Sequence, residues 1–298
     1  MGVLFVNRPL TFGHLAALLT TFVWGTTFIA TKVLLRSFQP VEILFIRFLI
    51  GYATLWLLCP RRLTLRERKQ ELVFAAAGFS GITLYYLLEN IALTYTLASN
   101  VGVIISIAPF FTAVCGCLFL GEKRPNGWFL LGFAVAMVGI YLISFGGKGV
   151  TLMLKGDLLA GGAAIIWAIY STLTKKLGEY GYPLIQVTRR TFFYGIVWML
   201  PALSSFGFSV QLTQFAAPDI LLNFLFLSVG ASALGFVTWN FAVHTLGAVR
   251  TSVYIYMIPV ITTITSALIL RETITSAAIG GIALTLIGLV ISEYHRKA

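Results

Sequence analysis

Long apolar runs separated by short polar gaps make up almost the whole chain. Ten of them approach the roughly 20 mostly apolar residues that an α-helix needs to cross a bilayer. Five run from His14 to Leu35, Val41 to Cys59, Leu72 to Tyr95, Ala98 to Leu120 and Gly127 to Phe145. Five more run from Asp157 to Leu177, Pro183 to Leu203, Ile220 to Ala242, Ala248 to Leu270 and Ile274 to Ser292. The pattern predicts an all-α integral membrane protein with ten transmembrane helices. The third and fourth runs almost touch and should form a tight helical hairpin, and the eighth and ninth repeat that arrangement. The first run is long enough to span and shows no small-residue cleavage site, so it is expected to be a lasting helix rather than a secretory signal.

The pattern occurs twice. Trp24, Lys32, Pro40 and Arg47 return 143 positions later as Trp167, Lys175, Pro183 and Arg190. Asn90, Ala92, Ala98, Pro109 and Glu122 return 150 later as Asn240, Ala242, Ala248, Pro259 and Glu272. Gly132, Ala134 and Gly139 return 149 later as Gly281, Ala283 and Gly288. The offset changes only where loops differ in length, which is the mark of a duplicated unit. The predicted units are residues 13–145 and 156–294. Each holds five spans, an odd number, so the second must insert upside down. Two inverted repeats related by an axis in the membrane plane are a recurrent plan of secondary transporters, with the substrate site between them near the midplane.

Composition agrees with a lipid environment. The chain is 58% hydrophobic and 10% charged, against about 25% charged in a soluble domain. The net charge of +11 would suit nucleic acid, but Lys and Arg sit in the gaps between apolar runs, where they act as orientation signals. No nucleic-acid partner is expected. With the N-terminus inside, thirteen Lys and Arg fall in inner segments and five in outer ones. Both termini are therefore expected on the cytoplasmic side of the cytoplasmic membrane. The basic run Arg61–Lys69 reads as a contact with anionic lipid. Cys59, Cys115 and Cys117 lie in apolar runs without partnering histidines and read as packing residues, so no metal or cofactor is expected. Residues 116–123, Gly-Cys-Leu-Phe-Leu-Gly-Glu-Lys, approximate a phosphate-binding loop but lack its Gly-Lys-Ser/Thr ending. His14, His244 and His295 are too scattered to make one ligand set by local spacing, so an enzyme is not expected.

Each unit opens on a Trp-bearing helix and ends its fourth helix on a Glu. With Ala30–Thr31–Lys32, Arg47–Phe48, Gly121–Glu122–Lys123, Arg271–Glu272–Thr273, and Gly132 and Gly281 in the closing helices, the chain resembles the EamA family of the drug/metabolite transporter superfamily. The resemblance runs from about Gly13 to Ser292. The second unit departs from it where Gly25 becomes Ala168 and Gly121 becomes Arg271. It implies ten spans and transport of a small organic metabolite, often outward, without naming that metabolite.

Several polar and aromatic residues fall inside the spans. Arg47 lies six residues after Val41, about 9 Å into its helix, and Arg190 lies at the equivalent depth from the opposite face. Each reads either as a ligand for an anionic group or as a charge that caps carbonyls or snorkels to the interface. Glu89, after Tyr85–Tyr86 and beside Asn90, reads as a proton carrier or as a structural partner of Arg47 or a Lys. Its counterpart is Trp239, so any role is asymmetric. Pro109 and Pro259 each remove an N–H and free a carbonyl, at Ile105 and Ile255, with Ser106 and Thr262 nearby to help. They read as kinks that open a cavity or as static packing bends. Trp24, Trp167, Trp239, Tyr85, Tyr170 and Tyr254, with Asn90 and Asn240, can line a pocket for an apolar or aromatic metabolite or a quaternary cation; the alternative for each aromatic is lipid contact. Glu122 and Glu272 read as helix-end charges that hold the unit together. Small residues at Gly132, Ala136, Gly139, Gly281 and Gly288 let helices approach closely, within one chain or across subunits, so monomer and homodimer both stay open.

The expected function is alternating-access transport of a small metabolite, with apolar or aromatic amino acids moving mainly outward as the leading substrates. The alternatives are an uptake or exchange carrier for sugars, nucleotide precursors or phosphorylated metabolites, and a non-transporting receptor or channel. The bilayer and a small-molecule substrate are the expected partners.

Overall fold

The computed structural model describes residues 8–96, 98–122, 124–145, 153–270 and 274–294. Lys123, Arg271, Glu272, Thr273 and His295 lie outside the described residues. The described chain is helical rods joined by short loops, as expected where no water is present to satisfy the backbone. The first unit contributes α1 (Arg8–Leu34), α2 (Pro40–Leu58), α3 (Gln70–Tyr95), α4 (Ala98–Ile105 continued by Ala108–Leu120) and α5 (Gly127–Phe145). The second contributes α6 (Leu154–Glu179), α7 (Leu184–Phe206), α8 (Pro218–Leu246), α9 (Ala248–Ser252 through Met257–Leu270) and α10 (Ser276–Tyr294).

Among the described residues, eight rods are long and apolar enough to cross a membrane, against the ten expected. The other two are α7 and α10. In α7 the apolar stretch is diluted by Gln186, Arg189 and Arg190, and the apolar part of α10, Ser276–Ser292, is shorter. Outward faces carry large apolar side chains such as Leu57, Leu58, Leu118, Phe119 and Leu268, the surface that a bilayer covers.

The packing is crossed between the units. Helix α1 packs on α8 and α9 of the second unit, and α6 packs on α3 and α4 of the first. The self-equivalent pairs α2–α7 and α5–α10 also meet. Along α5–α10, Gly132 lies against Gly288 and Ser292, whereas Gly139 lies against Gly281 and Thr285. One number rises as the other falls, so these equivalent helices run antiparallel and the units are inverted. A Cβ at Gly139 would meet the Thr285 amide and the Gly281 carbonyl, and one at Gly288 would meet the Ala136 amide and the Gly132 carbonyl. The small residues thus serve a crossing inside the chain, where close backbone approach is the main source of attraction between helices in lipid.

Two ion pairs also join the units. Glu122, at the end of α4, pairs with Lys175 of α6, so it ties one unit to the other rather than holding its own unit together. Arg190 of α7 pairs with Glu71 of α3. Glu42 accepts from the Gln39 amide at 2.8 Å and the Ser209 amide at 2.8 Å, fastening the loop after α7 to the start of α2. The α8–α9 hairpin turns on Gly247, whose φ of 88° lies in the left-handed region that only glycine adopts without strain.

Candidate functional site

A small cavity opens between the units. Its wall comes from Trp24, Thr27 and Phe28 of α1, Tyr85, Tyr86 and Glu89 of α3, and Ile105 of α4. Trp167 of α6 and Ile255 and Ile258 of α9 complete it.

Local structure places these side chains. The middle of α3 widens into a π-helical segment, Gly78–Leu84, directly before Tyr85. Each wide turn holds an extra residue and so re-aims the side chains that follow, a device common at functional sites. Helix α8 repeats it at Phe226–Leu234. The widening needs small residues against neighbouring backbone: a Cβ at Gly78 would meet the Thr191 carbonyl and the Gly195 amide of α7. A run of small residues in each helix, Ala75–Ala76–Ala77–Gly78 and Gly230–Ala231–Ser232–Ala233, was the available sequence signal.

The prolines place the isoleucines. Helix α4 is interrupted at 106–107, just before Pro109, and α9 tightens to a 3₁₀ turn at Val253–Tyr256, just before Pro259. The carbonyls that each proline deprives of its donor belong to Ile105 and Ile255, both of which line the cavity. The neighbouring hydroxyls do not serve them. Ser106 Oγ donates to Gly102 O at 2.7 Å, and Thr262 Oγ1 reaches across to Gly25 O of α1 at 2.6 Å.

The rings form a continuous wall. Trp24 and Trp167 meet edge to face with centroids 5.1 Å apart, and Tyr85 lies 4.8 Å from both Trp167 and Tyr86. Such edge-on contacts are the favoured aromatic geometry. Trp24 Nε1 donates to Ala231 O, inside the π-helical segment of α8, at 2.9 Å. Trp167 Nε1 is buried and finds no acceptor among the described residues. Glu89 is 4% exposed, lies beside the Tyr85 hydroxyl, and is the charged side chain of the cavity wall.

Arg47 stands behind Tyr86 rather than in the wall. Its guanidinium sits over the Tyr86 ring at 4.4 Å, with Nε donating to Ser232 Oγ at 2.6 Å and Nη2 to the Tyr86 hydroxyl at 3.3 Å. Trp239 is fully buried behind the wall, 5.1 Å from Trp24 and 5.8 Å from Trp167. Tyr170 donates to Asn240 Oδ1 at 3.3 Å and Asn240 donates to Thr188 Oγ1 at 2.9 Å, a buried chain linking α6, α7 and α8.

Three of the residues singled out from the sequence lie elsewhere. Arg190 bonds both oxygens of Glu71 at 2.7 Å and Leu63 O at 2.8 Å. Asn90 donates to Pro40 O at 3.2 Å. Tyr254 lies 2.5 Å from His14 Nδ1 in a separate cluster with Ala17 and Ala242. Thr27, Phe28, Ile105, Ile255 and Ile258 were not sequence candidates for the wall, because residues of ordinary apolar or hydroxyl type carry no signal of which way they face.

Inverted units enclosing a cavity at their interface define a membrane transport protein. A model of the EamA-like transporter family matches residues 11–145 and again 154–294, and the chain belongs to that family. An uncharacterized transporter of Archaeoglobus fulgidus is 30% identical, covering 94% of this chain and 96% of its own. A probable terminal-alkyne amino-acid exporter of Streptantibioticus cattleyicolor is 26% identical over 93% of this chain and 91% of its own. One crystal structure superposes with a TM-score of 0.74 at 20% identity, covering 94% of this chain and 96% of that one. Its likeness extends to the fold.

Proposed function

We propose that the protein is a secondary transporter that moves small apolar or aromatic amino acids, mainly outward, across the cytoplasmic membrane by alternating access. Both termini are read as cytoplasmic, from the excess of Lys and Arg in the inner segments. The observation that carries the reading is the cavity itself: both inverted units wall it, its lining is aromatic and aliphatic, and one buried carboxylate faces it. The similarity to an exporter whose name specifies an amino acid supports the same substrate class. An anionic or phosphorylated substrate draws less support, because Arg47 and Arg190 are engaged inside the protein.

The test is counterflow in vesicles reconstituted with the purified protein. Vesicles preloaded with phenylalanine or leucine should accumulate labelled phenylalanine above empty vesicles. Folded protein that gives no exchange for any apolar or aromatic amino acid would remove this reading.

A further inference from the structure

We infer that the cavity recognises its substrate by a cationic ammonium group, held by Glu89 within a box formed by Trp24, Tyr85, Tyr86 and Trp167, and that it therefore accepts apolar and aromatic primary amines as well as amino acids. This rests on the transport reading above and extends its substrate class to amines that lack a carboxylate.

Three observations carry it. First, Glu89 is the charged residue of the cavity wall, and among the described residues its carboxylate makes no ion pair. A carboxylate offers several acceptor positions, and the Tyr85 hydroxyl beside it occupies one direction only. Second, the surrounding rings pack with centroids 4.8–5.1 Å apart, Trp24 on Trp167 and Tyr85 on Tyr86 edge to face and Tyr85 on Trp167 tilted, so that indole and phenol surfaces line the cavity. Such faces attract ammonium groups, most strongly when water is excluded. Third, the neighbouring arginines are committed. Arg47 acts on Glu89 through its charge, but its donors go to Ser232 and Tyr86 and its guanidinium lies behind the Tyr86 ring. Arg190 is bound to Glu71. A substrate carboxylate thus meets no free cation in the wall, whereas a substrate ammonium meets a carboxyl group that makes no ion pair among the described residues. Thr27 spends its hydroxyl on Trp24 O at 2.7 Å, and the Trp167 indole N–H is the wall's unpartnered donor among the described residues.

The test is calorimetric titration of the purified protein with 2-phenylethylamine, phenylalanine and N-acetylphenylalanine. The amine and the amino acid should bind, and the N-acetyl compound, which keeps the ring and carboxylate but loses the ammonium, should bind at least tenfold more weakly. Glu89→Gln should weaken phenylethylamine at least tenfold, with Glu89→Asp in between. Equal binding of N-acetylphenylalanine and phenylethylamine would overturn the inference, as would binding of none of the three or an unchanged Kd in folded Glu89→Gln. If that variant does not fold, the ligand series on the native protein decides alone. Amine binding without flux in vesicles would sink the transport reading and leave the ammonium seat standing.

Discussion

The two units share a frame and differ in chemistry. Gly139 and Gly288 occupy equivalent places and make mirrored contacts in the α5–α10 crossing. Ile105 and Ile255, one turn before their prolines, both reach the cavity. Polar equivalents have diverged. Arg47 is 2% exposed and bonded to Ser232 and Tyr86, whereas Arg190 reaches a loop carbonyl and a half-exposed Glu71. Glu89 faces the cavity, and its counterpart Trp239 is packed behind it. Trp24 bonds a carbonyl within the π-helical segment of α8, and Trp167, at the same repeat position, finds no acceptor among the described residues. Duplication fixed where backbones meet; substitution on one side supplied the charge.

That contrast can be attacked in order of expected effect. Gly139→Val and Gly288→Val should each cost about 3 kcal/mol, because the added carbons fall on backbone atoms that cannot turn aside. Thermal unfolding in detergent would read this, and a tolerated substitution at one site but not the other would break the symmetry of the frame. Arg47→Met should cost about 2–3 kcal/mol through lost charged hydrogen bonds and stranded buried partners. Arg190→Met should cost about 1 kcal/mol or less, since its pair is partly solvated. Equal losses would erase the polar difference between the units. Smallest is the tryptophan pair. Trp24→Phe should destabilise by about 1 kcal/mol more than Trp167→Phe, the worth of one net hydrogen bond, and an equal shift in melting temperature would show that Trp167 also holds a partner.

Much of the fold was legible because apolar runs of spanning length are unambiguous and because offsets of 143, 150 and 149 repeat with fixed order. Inversion followed from five spans per unit, and the antiparallel α5–α10 crossing has the same sense. The site was legible in part. Trp24, Tyr85, Glu89 and Trp167 drew notice as polar or aromatic residues in mid-span, and all four line the cavity. Arg47, Asn90, Tyr170, Arg190, Trp239, Asn240 and Tyr254 drew notice for the same reason and lie outside that wall. Sequence gives depth along a helix but not the direction a long side chain takes, and nothing local marks Glu71 as the partner of a residue 119 positions away. The π-helical segments were missed because their backbone depends on tight packing against α7 and α1 rather than on propensity.

The α5–α10 crossing has a mechanical consequence. Two backbones this close, with the Thr285 and Ser292 hydroxyls set against the facing glycines, resist sliding along one another, because each step would drive a Cα, a hydroxyl or a carbonyl into its opposite. They can still roll. Should one half tilt against the other, this crossing is the point about which it would turn, and the wall of the cavity, set off from it, would travel like the far end of a lever.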